Sequence, residues 1–187
     1  MSLVPKVSQE HLDARRAEIL EGARRAFARY GYEGATVARL EQETGLSRGA
    51  IFHYFKGKLD LFVELAKSDS LGYQALLVEE GIEAVLRTVA EANREWLQVL
   101  IETEARLLHD PEFEALVATP PAEQKRFLDG FRRRQESGVF RSDVPAEDLA
   151  RFAAMVINGL ALRVAGGDDT NVESVVTLVN DALRPRD

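Results

Sequence analysis

The run EILEGARRAFARYGYEGATVARLEQETGLSRGAIFHYFKGKLDLFVELA, residues 18–66, decides the fold. Ile19, Ala23, Phe27 and Tyr30 recur at helical spacing with Arg and Glu on the other face, so residues 13–30 read as one amphipathic helix. Gly31 stops it, and GYEGAT links it to the next element. Thr36 stands where an N-cap belongs, before a short helix that turns Val37 and Leu40 inward. Gly45 ends that helix in a tight turn plugged by Leu46, and Ser47 caps a third helix, RGAIFHYF. Three closely spaced helices, the last two joined by a glycine-containing turn, have the geometry of a helix-turn-helix.

In such a pair the second helix reads DNA with its N-terminal residues. Here it begins Ser47-Arg48-Gly49-Ala50. Arg48 offers a guanidinium fork suited to guanine, and Ala50 can touch a thymine methyl. Gly49 carries no side chain and lets the backbone approach the groove. Ile51, Phe52 and Phe55 would point back into the head and hold the reader in place. Thr36, His53, Tyr54 and Lys58 can reach phosphates through a hydroxyl, a ring nitrogen, a phenol and an ammonium, with the positive helix N-termini adding to the grip. The same pattern also fills a small core, so pattern alone leaves DNA binding and plain packing both open.

Outward from this stretch the chain stays helical. Residues 1–12 read as a polar, irregular arm, residues 13–58 as the helix-turn-helix domain and residues 59–187 as a larger body. A fourth helix starts near Lys58 and passes Leu61, Phe62 and Leu65 into the seventies. Residues 81–109 form one long helix or two shorter ones, ending near Asp110-Pro111. Pro120-Pro121 forces another break, and the helix after it is closed by Gly138. Leu149, Phe152, Val156 and Leu160 lie on one face of a further helix. The last helix puts Val172, Val175, Val176, Val179 and Leu183 on one stripe. No run alternates with strand period, so the chain is expected to be all-α.

The net charge of −7 looks wrong for a partner of phosphates. Its distribution answers the objection, because residues 1–58 carry +3 and residues 59–187 carry −10. A basic head on an acidic body confines nucleic-acid binding to the head. There are no cysteines, which excludes disulfides and thiolate chemistry and fits a reducing cytosol. The N-terminus has no apolar stretch resembling a signal peptide, and no segment looks apolar enough to span a bilayer. A cytoplasmic protein without membrane contact is the expectation. With three histidines, no HExxH and no nucleotide-binding glycine loop, no catalytic residue is assigned. The rival to a DNA-binding role is a helical adaptor that binds protein through its acidic body.

Residues 18–66 closely resemble the DNA-binding domain of the TetR family of repressors. The likeness is carried by Ile19, Phe27, Gly31, Thr36-Val37, Leu40, Gly45-Leu46-Ser47 and Gly49 through His53-Tyr54-Phe55 to Lys58. It implies that Thr36, Tyr54 and Lys58 hold phosphates and that the start of the third helix reads bases. Phe52 stands where tyrosine is more usual. Gly57-Lys58-Leu59 replaces the common Ser-Lys-Glu, which puts a capping contact at the fourth helix in question.

The resemblance also implies a helical ligand-binding and dimerisation body and a palindromic double-stranded operator. It implies a homodimer built from residues 146–164 and 171–184, although these stripes could instead pack internally. An activator of the same type is the alternative to a repressor. The runs ILEGARR, GYEGATV, SRGAIFH and RSDVP further resemble the actinobacterial repressors of aconitase within that family. That likeness implies control of a tricarboxylic-acid-cycle gene and a response to citrate with magnesium, with no cofactor otherwise required.

Effector candidates are polar residues within apolar helical segments. Glu102, Arg106 and His109 share one helix face, Asn158 interrupts the run MVINGL, and Arg134 belongs to the triplet 132–134. Arg106 or Arg134 suits the carboxylate of an anionic metabolite, and Glu102 suits a divalent metal. The plainer readings are an intrahelical Glu102–Arg106 ion pair, a solvated basic face, and a His109 that serves only its helix end.

Overall fold

A computed structural model of the chain describes residues 9–186. Among these residues it contains ten α-helices and no strand. The helices are α1 (Gln9–Gly34), α2 (Val37–Thr44), α3 (Arg48–Tyr54), α4 (Lys58–Glu79), α5 (Ile82–Ala90), α6 (Arg94–Leu107), α7 (Pro111–Val117), α8 (Pro121–Glu136), α9 (Ala146–Gly166) and α10 (Val172–Leu183). The N-terminal arm is shorter than expected: residues 9–12 already belong to α1, and the rest of the arm lies outside the described residues.

Gly31 breaks α1 without ending it. Its φ of 71° and ψ of 169° are open to glycine, and one further turn follows in which the Ala35 N–H donates to the Gly31 carbonyl at 3.0 Å. Thr36 sits at the N-cap of α2 in extended backbone, yet its side chain makes no capping bond. Gly45 closes α2 in the left-handed region (φ 71°, ψ 12°). Ser47 caps α3 as expected, its Oγ accepting from the Ala50 N–H at 3.4 Å. The segment 81–109 resolves into two helices, because Asn93 Oδ1 accepts from the Trp96 N–H at 2.7 Å and starts α6 afresh. Asp110 and Pro111 together start α7, the aspartate accepting from the N–H groups of Glu112 and Phe113.

Two apolar cores hold the helices. The first joins α1, α2 and α3 to the opening turns of α4, and it is completed by Trp96 and Val99 from α6 and Phe113 from α7. The second is formed by α5, α8, α9 and α10 with Leu77 of α4. Packing therefore divides the molecule later than the motif does, since Leu61, Phe62 and Leu65 beyond residue 58 are buried with the head.

The expectation that no segment has bilayer-like composition needs correction. Among the described residues α9 is long and apolar enough by length and composition, and most of it is not buried within the chain. Met155 and Leu162 on α9 and Leu178 on α10 are 65 %, 58 % and 69 % exposed. A helix apolar on both its inner and outer faces has two surfaces to cover, and one chain covers one of them.

Candidate nucleic-acid interface

The end of the head carries the residues singled out from sequence. Thr36, Ser47, Arg48, Gly49 and His53 are exposed, while Ala50 and Tyr54 are half-buried. A side chain added at Gly49 would meet nothing within 4 Å, so this part of α3 faces open space. Ile51 and Phe55 are buried and Phe52 is half-buried against the same core, which fixes the rotation of α3. The His53 ring stands edge-on to Tyr54 at 5.2 Å. An arginine side chain, two hydroxyl residues and an imidazole are thus all exposed along α3 and at the N-caps of α2 and α3, residue types suited to base edges and phosphates.

Residues that the sequence reading passed over hold this surface in place. Glu41 of α2 accepts from the Arg48 N–H through Oε1 at 2.6 Å and pins the start of α3. At the other end, Arg16 Nη1 donates to the Tyr54 carbonyl at 3.1 Å and Nη2 to Glu64 at 2.9 Å, with the guanidinium 4.5 Å above the Phe55 ring. The Glu41–Arg48 and Arg16–Tyr54 contacts are charge-assisted bonds to backbone groups at the two ends of α3. The capping contact put in question at α4 is replaced from within: Gly57 offers no side chain, and Asp60 Oδ2 accepts from the Lys56 N–H at 2.9 Å.

Lys58 is engaged within the chain. Its ammonium donates to the Tyr32 carbonyl at 2.9 Å and to Glu33 Oε2 at 3.5 Å, and it lies 4.4 Å from the Tyr32 ring centroid. Arg106 of α6 binds the other oxygen of Glu33 at 2.8 Å. Glu33 therefore sits between a head cation and a body cation, and its carboxyl is held below the usual glutamate range first by the Arg106 hydrogen bond and then by the Lys58 charge.

The five effector candidates do not come together. Glu102 and His109 face solvent, and the expected Glu102–Arg106 pair does not form because Arg106 is taken by Glu33. Arg134 donates to the Val78 carbonyl at 2.8 Å and packs over Phe140, which makes it a strut between α4 and α8. Among the described residues no group of three or more His, Cys, Asp or Glu is placed to hold a metal ion, so Glu102 lacks the companions a metal site needs.

Asn158 lines a cavity of about 320 Å³ between α4, α5, α6, α8 and α9, which none of the other four candidates reaches. Its polar lining includes Asp69, Tyr73, Gln74 and Glu104, and its apolar walls include Leu77, Leu100, Phe127 and Ile157. The α6 face that reaches it carries Leu97, Leu100 and Glu104, about one turn apart. Glu102, singled out as a polar interruption, lies off that face, and Glu104 lies on it.

Comparison with known proteins places these features. Residues 19–65 match the family profile described as bacterial regulatory proteins, tetR family, and residues 77–185 match the C-terminal domain of BetI-type transcriptional repressors. The chain is 42 % identical over 185 residues to the HTH-type transcriptional repressor Rv1474c of Mycobacterium tuberculosis, covering 97 % of this chain and 99 % of that one. It is 41 % identical over 180 residues to the HTH-type transcriptional repressor AcnR of Corynebacterium glutamicum, covering 92 % and 94 %. Among solved structures, Salmonella enterica GusR shares the fold at a TM-score of 0.67 and 17 % identity, covering 95 % and 98 % of the two chains. A TetR transcription regulator from Haloarcula marismortui does so at 0.64 and 22 %, covering 91 % and 98 %.

Proposed function

The chain belongs to the TetR family of bacterial regulatory proteins and is a DNA-binding transcriptional repressor of that type; from this premise we propose how it binds and releases its operator. Two copies associate through α9 and α10 and present two α3 helices to successive major grooves of a palindromic site. Arg48 and Ala50 read base edges, with Gly49 admitting the backbone. Thr36, Ser47, His53 and Tyr54 contact phosphates, and Lys58 joins them by exchanging Glu33 for a phosphate oxygen. As a repressor it acts on chromosomal DNA in the cytoplasm. The observation that carries this reading is the exposed start of α3, pinned from both ends by Glu41 and Arg16.

The dimer rests on the outer face of α9, where Met155, Gly159, Leu162 and Gly166 recur at helical spacing beside Leu178 of α10. A Cβ at Gly159 or Gly166 would meet nothing, so a second helix can approach the backbone closely there. Such a self-complementary patch suits a two-fold interface. The cavity beneath α9 is the effector site of this reading. A ligand that binds better when the two heads are wrongly spaced weakens DNA binding, and DNA weakens the ligand by the same factor. The likeness to aconitase repressors makes a tricarboxylic-acid-cycle gene the first target to examine.

The test is recovery of genomic fragments by the purified full-length chain, followed by binding titrations on the recovered site at several salt concentrations. The expected result is a steep loss of affinity with salt. Arg48→Ala should relax base preference, at about 1–3 kcal/mol for the lost bidentate contact. Replacing Tyr54 and Lys58 with Ala should abolish binding while the dimer persists. Salt-independent binding, or full affinity in the double variant, would refute the assignment.

A further inference from the structure

Taking the cavity beneath α9 as the effector site, we propose that it accepts an amphipathic organic cation, an alkyl- or arylammonium, rather than a carboxylate. The polarity of the lining carries this. Two carboxylates, Asp69 and Glu104, face the space, and no Lys, Arg or His is among the described residues that line it. A carboxylate ligand would meet like charge there with no donor cation to pair with. Citrate with magnesium does not fit either: a hard divalent ion wants several oxygen ligands, and no acidic cluster converges on the cavity.

The two carboxylates are not equivalent. Asp69 is matched by Arg24, whose guanidinium grips it with bonds of 2.7 and 2.8 Å, and Trp96 Nε1 donates to it at 2.7 Å. Glu104 has no ion pair or hydrogen bond to any described residue, and desolvation alone pushes its carboxyl above the usual range. It is exposed as a residue while lining the cavity, which puts it at the mouth. An ammonium seated at Glu104 supplies the missing counter-charge. Tyr73 and Phe127 also line the space, aromatic side chains of the kind that bind cations through their π-faces. Leu77, Leu97, Leu100 and Ile157 leave room for its hydrocarbon part. The −10 charge of residues 59–187 raises the local concentration of cations around the mouth.

The lining also connects the ligand to the head. Asp69 is the body's hold on Arg24 of α1, so a second cation in the cavity competes with Arg24 for it and loosens the head.

The experiment is calorimetric titration of the full-length dimer with hexylammonium, hexanol and hexanoate, which share a chain and differ in charge. Hexylammonium should bind about tenfold more tightly than hexanol, with hexanoate weakest. Glu104→Gln should erase the preference for the cation while leaving hexanol unchanged, and Phe127→Leu should weaken hexylammonium and hexanol together. Equal binding of the three, a preference for hexanoate, no binding by any of them, or a cation preference that survives Glu104→Gln would each overturn the proposal. Operator binding without ligand is measured in parallel, so loss of the cation preference with operator binding intact refutes the ligand class alone. A cation that binds the cavity yet leaves operator affinity unchanged refutes the effector role and not the ligand class.

Discussion

The head and the body are packed to different tolerances. In the head, Phe27, Tyr32, Phe62 and Trp96 form a connected set of rings with centroid separations from 5.3 to 6.3 Å. Its buried Thr44 is satisfied twice, donating to the Leu40 carbonyl at 2.7 Å and accepting from the Leu46 N–H at 3.2 Å. In the body, a cavity opens between α4 and α9, and a second groove of about 410 Å³ runs along α4 and α8 past Leu71, Val78 and Arg126. A DNA reader gains from side chains held in place before the partner arrives. A domain that answers to ligands needs spare volume and alternative packings. The chain divides these demands between its two cores.

The sharpest way to break the comparison is to remove one ring from each region. Phe27→Ala, at a fully buried position, should cost about 3–5 kcal/mol and unfold a large fraction of the protein. Phe127→Ala, on the half-buried cavity wall, should cost roughly 1–2 kcal/mol. Urea unfolding monitored by circular dichroism checks both, and equal losses would mean that the two cores are equally tight.

A smaller test uses glycines. A Cβ at Gly22 would lie 2.6 Å from Thr44 Cγ2 and 2.8 Å from its Cα, so α1 and α2 must separate. Gly22→Ala should destabilise by about 1–3 kcal/mol and weaken operator binding. At Gly130 the obstacles are the two methyls of Val78, at 2.7 and 3.1 Å, side-chain atoms beside the open groove where α8 can shift away from α4. Gly130→Ala should be close to neutral, because the gain in helix propensity of about 1 kcal/mol offsets the shift. Thermal melts separate the two, and a neutral Gly22→Ala would contradict the picture of a rigid head.

The smallest effect is expected at the seam between the regions. Glu33→Gln removes the carboxylate that Lys58 and Arg106 share, leaving Lys58 only its Tyr32 carbonyl, and should raise operator affinity by less than about fivefold at low salt. The pH dependence has a definite sign. The Glu33 carboxyl is depressed in the folded state, so its contribution to stability is complete above the ordinary carboxylate range. It is lost as pH falls through the depressed value. The difference in Tm between wild type and Glu33→Gln should therefore vanish in acid; a difference that grows there would assign the stabilisation to another group.

Much of this was legible in the sequence where local chemistry decides structure. Gly45, Ser47 and the Ile51/Phe55 pair mark a turn, a cap and a buried face by rules that act within a few residues, and the structure places all of them accordingly. What stayed hidden depends on contacts far along the chain. Arg16 reaches Tyr54 across 38 positions, and Arg106 reaches Glu33 across 73. No spacing rule could choose Glu33 over the nearer Glu102 as the partner of Arg106. Glu104 was missed for a related reason: which face of α6 meets the cavity depends on how that helix is rotated against α4 and α9, and its local pattern does not fix that rotation.

Trp96 is the sole tryptophan of the chain. It is rooted in the head's core from a body helix, bonded through Nε1 to Asp69, and covered by Arg24 at 4.9 Å. Indole emission depends on the polarity and charge beside the ring, so unlabelled protein carries its own optical gauge of the junction between reading and sensing. Whatever enters the cavity or draws Arg24 away should register in the colour and brightness of that one residue, in real time and with no chemistry done to the chain.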